Sequence, residues 1–173
     1  MDGMFLGTQE ASQDPDFLFS NKVLGIVNCA GATVPNSLGQ YGIRYLTFRW
    51  FNKKDMVMFS SKGRNLARIV KFIDRVRTRG GSVLIHSAHG TGRGVYAAMA
   101  YFMTKFCWSV GKVLNSALLI HYCSILRQAL EYVDSKRPGV CPKPMFLKQL
   151  SRAAGLFFLS FCLLIYLSIL LSI

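Results

Sequence analysis

The sequence predicts an α/β fold: a central, mostly parallel sheet flanked by helices, with a glycine-rich loop between one strand and the next helix, and a C-terminal transmembrane helix. Three observations lead there. Apolar, β-branched segments alternate with helical stripes along residues 1–152. One short apolar run, SVLIH (82–86), passes directly into the glycine-rich turn SAHGTGRG and then an apolar helical stretch. Residues 153–173 carry no charge at all.

In chain order, MFLGTQEAS (4–12) begins apolar and turns polar, which fits an edge strand leading into a turn or short helix. KVLGIVNCA (22–30) is β-branched and bounded by Ser-Asn and Gly31, and IRYLTFRW (43–50) alternates apolar and polar, so both read as strands. FNKKDMVMF (51–59) starts as a loop. From Asn65 to Arg79, the residues Leu66, Ile69, Val70, Phe72, Ile73 and Val76 form one stripe, with Arg68, Lys71, Arg75 and Arg79 facing out and Gly80-Gly81 as the stop. SVLIH is the next strand, and Val95–Phe106 is apolar at helical spacing. A longer helix is expected from Val110 to about Asp134, followed by a proline-rich turn (RPGVCPKP) and a short helix at MFLKQLSR. Strands alternating with helices imply right-handed crossovers. The turn after SVLIH then sits at the carboxyl edge of the sheet, where open α/β folds bind ligands.

Charge narrows the partner. The 173 residues carry 21 Lys and Arg against 8 Asp and Glu. All 21 basic residues fall between Lys22 and Arg152, with only Asp55, Asp74, Glu131 and Asp134 against them. That surplus predicts an anionic partner: phosphate, an acidic surface or nucleic acid. No nucleic-acid-binding motif accompanies the charge, so no nucleic-acid partner is expected. The five cysteines show no C-x-x-C pair and no zinc spacing with His86, His89 or His121, so no metal and no cofactor is expected. Their odd count and wide spacing suit reduced thiols. No signal-peptide pattern opens the chain.

Residues 153–173 read AAGLFFLSFCLLIYLSILLSI. At ~1.5 Å per residue, a helix of this length covers the ~30 Å hydrocarbon core of a bilayer. Lys148 and Arg152 precede it as cytoplasmic flanks do. Because nothing follows it in the sequence, the expectation is a single-pass tail anchor with domain 1–152 facing the cytosol. A buried core helix and a gene-model error at the C-terminus are the alternatives.

The strand–loop–helix segment carries the chemistry. A loop in this place turns successive N–H groups into a concavity, and the following helix adds its positive end. Arg93, at the loop's close, can grip a phosphate through two parallel hydrogen bonds. No G-K-[ST] occurs, so it is not a Walker A loop, and no G-x-S-x-G is present.

The segment His86-Ser87-AHGTG-Arg93 resembles the H-C-x5-R signature loop of the cysteine-dependent protein tyrosine phosphatases. LGTQEAS, VLGIVNCAGATVPN, IRYLTFRW, the FID helix before GGSVLIH, and SKRPGVCPKPMFLKQL extend the resemblance to the dual-specificity phosphatase domain over residues 4–152. The resemblance implies a phosphate loop of Ala88, His89, Gly90, Thr91, Gly92 and Arg93. It also implies a cysteine nucleophile that forms a cysteinyl-phosphate, and an aspartic acid that protonates the leaving oxygen.

Three positions depart from the pattern. The nucleophile position is Ser87, whose hydroxyl is far less acidic than a thiol and needs a base. The general-acid position is Asn52, which cannot give a proton, and Asp55 is the alternative acid three residues on. The residue after the arginine is Gly94 in place of the usual Ser or Thr. The loop glycines and Arg93 are kept.

From Trp108 to Pro138 there are 31 residues where the resemblance implies one short helix. Val113–Gln128 therefore reads as a 16-residue insertion, either a helix extension or translated intron. The expectation is a phosphatase-like protein that binds phosphorylated protein (phosphotyrosine, or phosphothreonine and phosphoserine) without hydrolysing it. An active phosphatase and a phosphoinositide ligand are the alternatives.

Overall fold

The computed structural model describes residues 3–51, 53, 56–60, 62–110, 118–140, 143–150 and 152–153. Among the described residues, four strands, β1 (Met4–Gly7), β2 (Val23–Asn28), β3 (Arg44–Thr47) and β4 (Ser82–His86), form one sheet in the order β1-β4-β2-β3. Every neighbouring pair is parallel. β4 therefore lies inside the sheet, with Ile85 aligned to Leu6 on one side and to Val27 on the other.

Helices α1 (Gln9–Gln13) and α2 (Pro15–Ser20) follow β1. The side chain of Thr8 caps α1, and that of Asp14 accepts from the N–H of Phe17 at 3.0 Å to cap α2, with Pro15 in its first turn. A 3-10 turn at Gly39–Tyr41 lies between β2 and β3. Helix α3 (Arg64–Arg77) carries the chain back to β4, α4 (Arg93–Val110) leaves the loop, and α5 (Leu118–Lys136) returns. A further helix, α6, covers 144–150, with 152–153 helical as well.

The strand alternation divides the core. Ile26 and Leu84 face a smaller cluster with Leu18, Val23, Leu38 and Ile43. Val27, Val83 and Ile85 face the larger one, where Leu66, Ile69 and Ile73 of α3, Val95, Tyr96 and Met99 of α4, and Phe146 and Leu150 of α6 pack. Each fully buried aliphatic side chain stabilises the fold by ~1.5–3 kcal/mol. Gly25 lets α3 come close: a Cβ there would stand 2.6 Å from Val76 Cγ2. Asp74 joins α3 to α4, pairing with Lys105 Nζ at 2.9 Å and accepting from Tyr101 Oη at 3.0 Å.

The expected strands, and the helices expected at 65–79, at 95–106 and at MFLKQLSR, are present within a few residues of their predicted limits. The helix expected from Val110 starts elsewhere: Val110 ends α4, and the helix that reaches past Asp134 begins at Leu118. Helix α2 and the 3-10 turn are additions, although Asp14-Pro15 is a start signal present in the sequence. Of the stretch 113–128, residues 118–128 are helical in α5 and 113–117 lie outside the described residues. Ala153 is fully buried in the larger core, and 154–173 lie outside the described residues. Among the described residues, no helix is long and apolar enough to cross a membrane.

Candidate active site

Because all four strands run parallel, their carboxyl ends meet at one edge. The loop 87–92 leaves β4 there, between Gly7 at the end of β1 and Asn28 at the end of β2, and it feeds the N-terminus of the 18-residue helix α4. Ser87 is at the foot of the loop and only 2% exposed. His89 and Thr91 are exposed at its rim, while Gly90 is buried.

Gly90 has φ +70°, a left-handed conformation that a side chain disfavours by ~1–2 kcal/mol. A Cβ there would also meet the Gly7 carbonyl oxygen and Arg137 Nη2, each at 2.7 Å. Arg137, from the turn after α5, holds this bend. Its Nη1 donates to the Leu6 carbonyl at 2.9 Å, and its Nη2 donates to the His89 carbonyl at 3.5 Å. The N–H of Gln9 donates to the carbonyl of Ala88 at 3.3 Å, fastening the loop from α1.

Arg93 is half-buried, and its Nη1 donates to the carbonyl oxygen of Trp50 at 2.6 Å. Burial lowers its pKa, with the neighbouring Cys29 acting weakly the other way. Trp50 is 3% exposed and stacks on Phe48 with ring centroids 4.3 Å apart. It opens the segment that contains position 52, to which the resemblance assigns the general acid. The far end of that segment is fixed by Gln149, whose Oε1 accepts from the N–H of Met58 at 2.9 Å and whose Nε2 donates to the Met56 carbonyl at 3.0 Å. Asn52 and Asp55 themselves lie outside the described residues.

Two other titratable groups adjoin the loop. His86 is 1% exposed, its carbonyl accepts from the N–H of Cys29 at 2.9 Å, and its Nδ1 has no partner among the described residues. Burial, with the charge of Arg93 adding to it, presses its pKa down to about 4. The imidazole is therefore neutral at neutral pH and a weak base. Cys29 is fully buried, and burial pushes its thiol well above the ordinary range against the opposing charge of Arg93. It stays a protonated thiol.

Asn28 orders the neighbouring turn. Its Nδ2 donates to the Val34 carbonyl at 2.8 Å and to Asn36 Oδ1 at 2.9 Å, and its Oδ1 accepts from the N–H of Ala30 at 2.9 Å. Gly94 is buried against the loop's foot, and a Cβ there would lie 3.3 Å from the His86 carbonyl carbon and from Leu6 Cδ1.

The expected loop residues 87–93 are thus contiguous at one sheet edge, with Arg93 closing them. Arg137, Trp50 and Gln149 make further contacts to the loop and to the segment beside it, and the sequence pattern assigned them no role. The Arg-Pro of SKRP and the Gln of FLKQL are visible in the sequence, but their partners are far away along the chain.

The family described as dual specificity phosphatase, catalytic domain, matches residues 4–154. Dual specificity protein phosphatase 1 of Arabidopsis thaliana is 30% identical over 150 residues, covering 86% of this chain and 64% of its own length. Dual specificity protein phosphatase 19 of Mus musculus is 25% identical over 151 residues, covering 85% of this chain and 57% of its own. This chain thus spans about three fifths of the length of these two relatives. Among solved structures, DUSP15 superimposes with a TM-score of 0.69 at 25% identity, covering 89% of this chain and 84% of that one. Human DUSP28 gives 0.69 at 21% identity over 92% and 96% of the two chains, which is a likeness of fold.

Proposed function

The chain belongs to the dual specificity phosphatase family, and from that premise we propose that it binds phosphorylated protein side chains in the loop 87–92 without hydrolysing them. The observation that carries the reading is Ser87, a buried hydroxyl where the signature calls for a thiol. A serine attacks phosphorus only when a base removes its proton. The adjoining His86 has its pKa pressed down to about 4 and an enclosed ring, so it is a poor base at neutral pH. Among the described residues, the thiol of Cys29 is fully buried and protonated, and offers no substitute nucleophile.

Binding needs less. The loop N–H groups, the positive end of α4 and the guanidinium of Arg93 suit a tetrahedral dianion. A loop pinned by Arg137 and Gln9 keeps those donors in place without ligand, which lowers the ordering cost of binding. A protein of this kind shields a phosphosite or competes with active relatives for it.

Membrane attachment through 154–173 is the second part of the proposal, supported by the absence of charge in that run. A fluorescent fusion to 148–173 should then resist carbonate extraction.

The test of the main reading is calorimetric titration of the full chain with phosphotyrosine and phosphothreonine peptides and with phosphoinositide vesicles. Saturable binding of a phosphopeptide, lost in Arg93→Ala, is expected. Binding to the vesicles alone would replace the phosphoprotein with a lipid ligand, and no binding to any probe would remove the proposal.

A further inference from the structure

Helix α3 presents a line of positive charge to solvent. Arg64, Arg68, Lys71 and Arg75 are all exposed. At 3.6 residues per turn, their spacing of four, three and four places them within about 60° of one another around the helix, along about 17 Å of its length. The single carboxylate of the helix, Asp74, is engaged by Lys105 and Tyr101 on the side that faces α4. None of the four cations has an ion-pair partner among the described residues. A run of like charges at this spacing opposes helix formation. It persists here because the opposite face buries Leu66, Ile69, Ile73 and Val76.

The line is continuous with the phosphate site. The polypeptide enters α3 from the segment after β3, so the Arg64 end lies at the sheet edge that carries the loop. The Arg68 guanidinium lies over the Phe48 ring at 5.0 Å, Phe48 stacks on Trp50, and the Trp50 carbonyl accepts from Arg93. Arg49 and Lys53, both exposed, belong to the segment between these points.

We propose that the α3 line Arg64–Arg68–Lys71–Arg75 is a docking track for acidic residues flanking the phosphorylated side chain of a partner protein. The proposal rests on the phosphate-binding reading of the loop and names the partner: a phosphoprotein whose phosphosite lies in an Asp- and Glu-rich stretch. About five residues of extended peptide span the length of the track. A single line of cations that starts at the sheet edge carrying the loop fits an extended chain, whereas a bilayer would use a broad face. Exposed pairs each contribute little, so the preference for acidic peptide is built from several and is screened by salt.

The experiment is a titration of the full chain, in nonionic detergent, with two phosphotyrosine peptides. One is flanked on both sides by glutamates, and the other has glutamine at the same positions. The expected result is about tenfold tighter binding of the glutamate peptide at low salt, fading as salt rises. The variant Lys71→Ser/Arg75→Ser, which leaves Arg68 on its ring, should cut that preference to about threefold without changing the affinity for the glutamine peptide. Arg44→Ser/Lys136→Ser removes the same charge elsewhere and should keep the preference.

Equal affinity of the unmodified chain for both peptides would overturn the track while leaving the phosphate site standing. Failure to bind either peptide would overturn both readings. An equal loss in the two double variants would assign the preference to overall charge. If the α3 variant lost only binding to phosphatidylserine vesicles and kept its peptide preference, the track would be a lipid surface and the proposal would fall.

Discussion

The guanidinium of Arg93 donates to the carbonyl oxygen of Trp50 at 2.6 Å, tying the arginine that closes the loop to the strand end that leads to the acid position. The contact crosses 43 residues of sequence and joins the two halves of the site. The planar guanidinium has further donors, which the proposed reading assigns to the anion.

Arg93→Ala should therefore weaken phosphate or phosphopeptide binding by about 10- to 150-fold, the worth of a charge-assisted contact. Arg93→Lys should recover only part of it, because an ammonium cannot reach two partners in one plane. Calorimetry with the three proteins checks this, and equal affinities would place the anion elsewhere.

The bend at Gly90 yields a second expectation. Gly90→Ala should cost ~2 kcal/mol or more of stability, from the left-handed backbone and the approach to the Gly7 carbonyl. Arg137→Ala should lower phosphate affinity without touching the ligand, since it releases the Leu6 and His89 carbonyls. Thermal melts and phosphate titrations separate the two effects. An Arg137→Ala protein with unchanged affinity would show that the loop holds its shape unaided.

Part of this site could be read from residue order alone. SVLIH forms β4 to the residue, because a short apolar run between Gly81 and a turn has few other uses. The stripe of α3 was legible from Leu66, Ile69, Ile73 and Val76, and the loop from its glycines and Arg93. Arg137 and Gln149 were not legible as parts of the site. Their hydrogen bonds reach Leu6, 131 residues away, and Met58, 91 residues away, and local pattern carries no signal over such spans. The basic residues Arg75 and Arg77 also divide in space. Arg75 is exposed, while Arg77 is half-buried and bonds the Tyr101 hydroxyl, a distinction that spacing alone does not make.

Acid should unfold the domain through His86. Its folded pKa of about 4 lies below the ~6.5 of an unfolded histidine, so the unfolded chain binds more protons between those values. The contribution is fully present above pH ~6.5 and is lost as pH falls toward 4, on the order of 3 kcal/mol in all. Denaturant midpoints measured from pH 7 to 4 should fall more steeply for the native sequence than for His86→Asn. Parallel curves would mean that His86 takes up a proton without cost.

Ser87→Cys should create a nucleophile, because the loop N–H groups, the α4 terminus and Arg93 all favour a thiolate. A burst of product equal to the enzyme present is the expected sign. Asn52→Asp should raise the rate by ~10²–10⁴-fold if the new carboxyl reaches the leaving oxygen. Adding Gly94→Ser should assist breakdown of the cysteinyl-phosphate only as far as its Cβ is tolerated 3.3 Å from His86 and Leu6. A folded, phosphate-binding double variant without a burst would show that the loop geometry no longer supports attack.

The proposed site holds phosphate and leaves the ester bond intact. Its most direct test is turnover of an aryl phosphate by the native chain and by Ser87→Ala at saturating substrate, beside a phosphopeptide titration of the same samples. Saturable binding by the native chain is expected, with product formation no faster than in Ser87→Ala. Steady turnover at a rate typical of an active family member, abolished by Ser87→Ala, would contradict it and make Ser87 a working nucleophile.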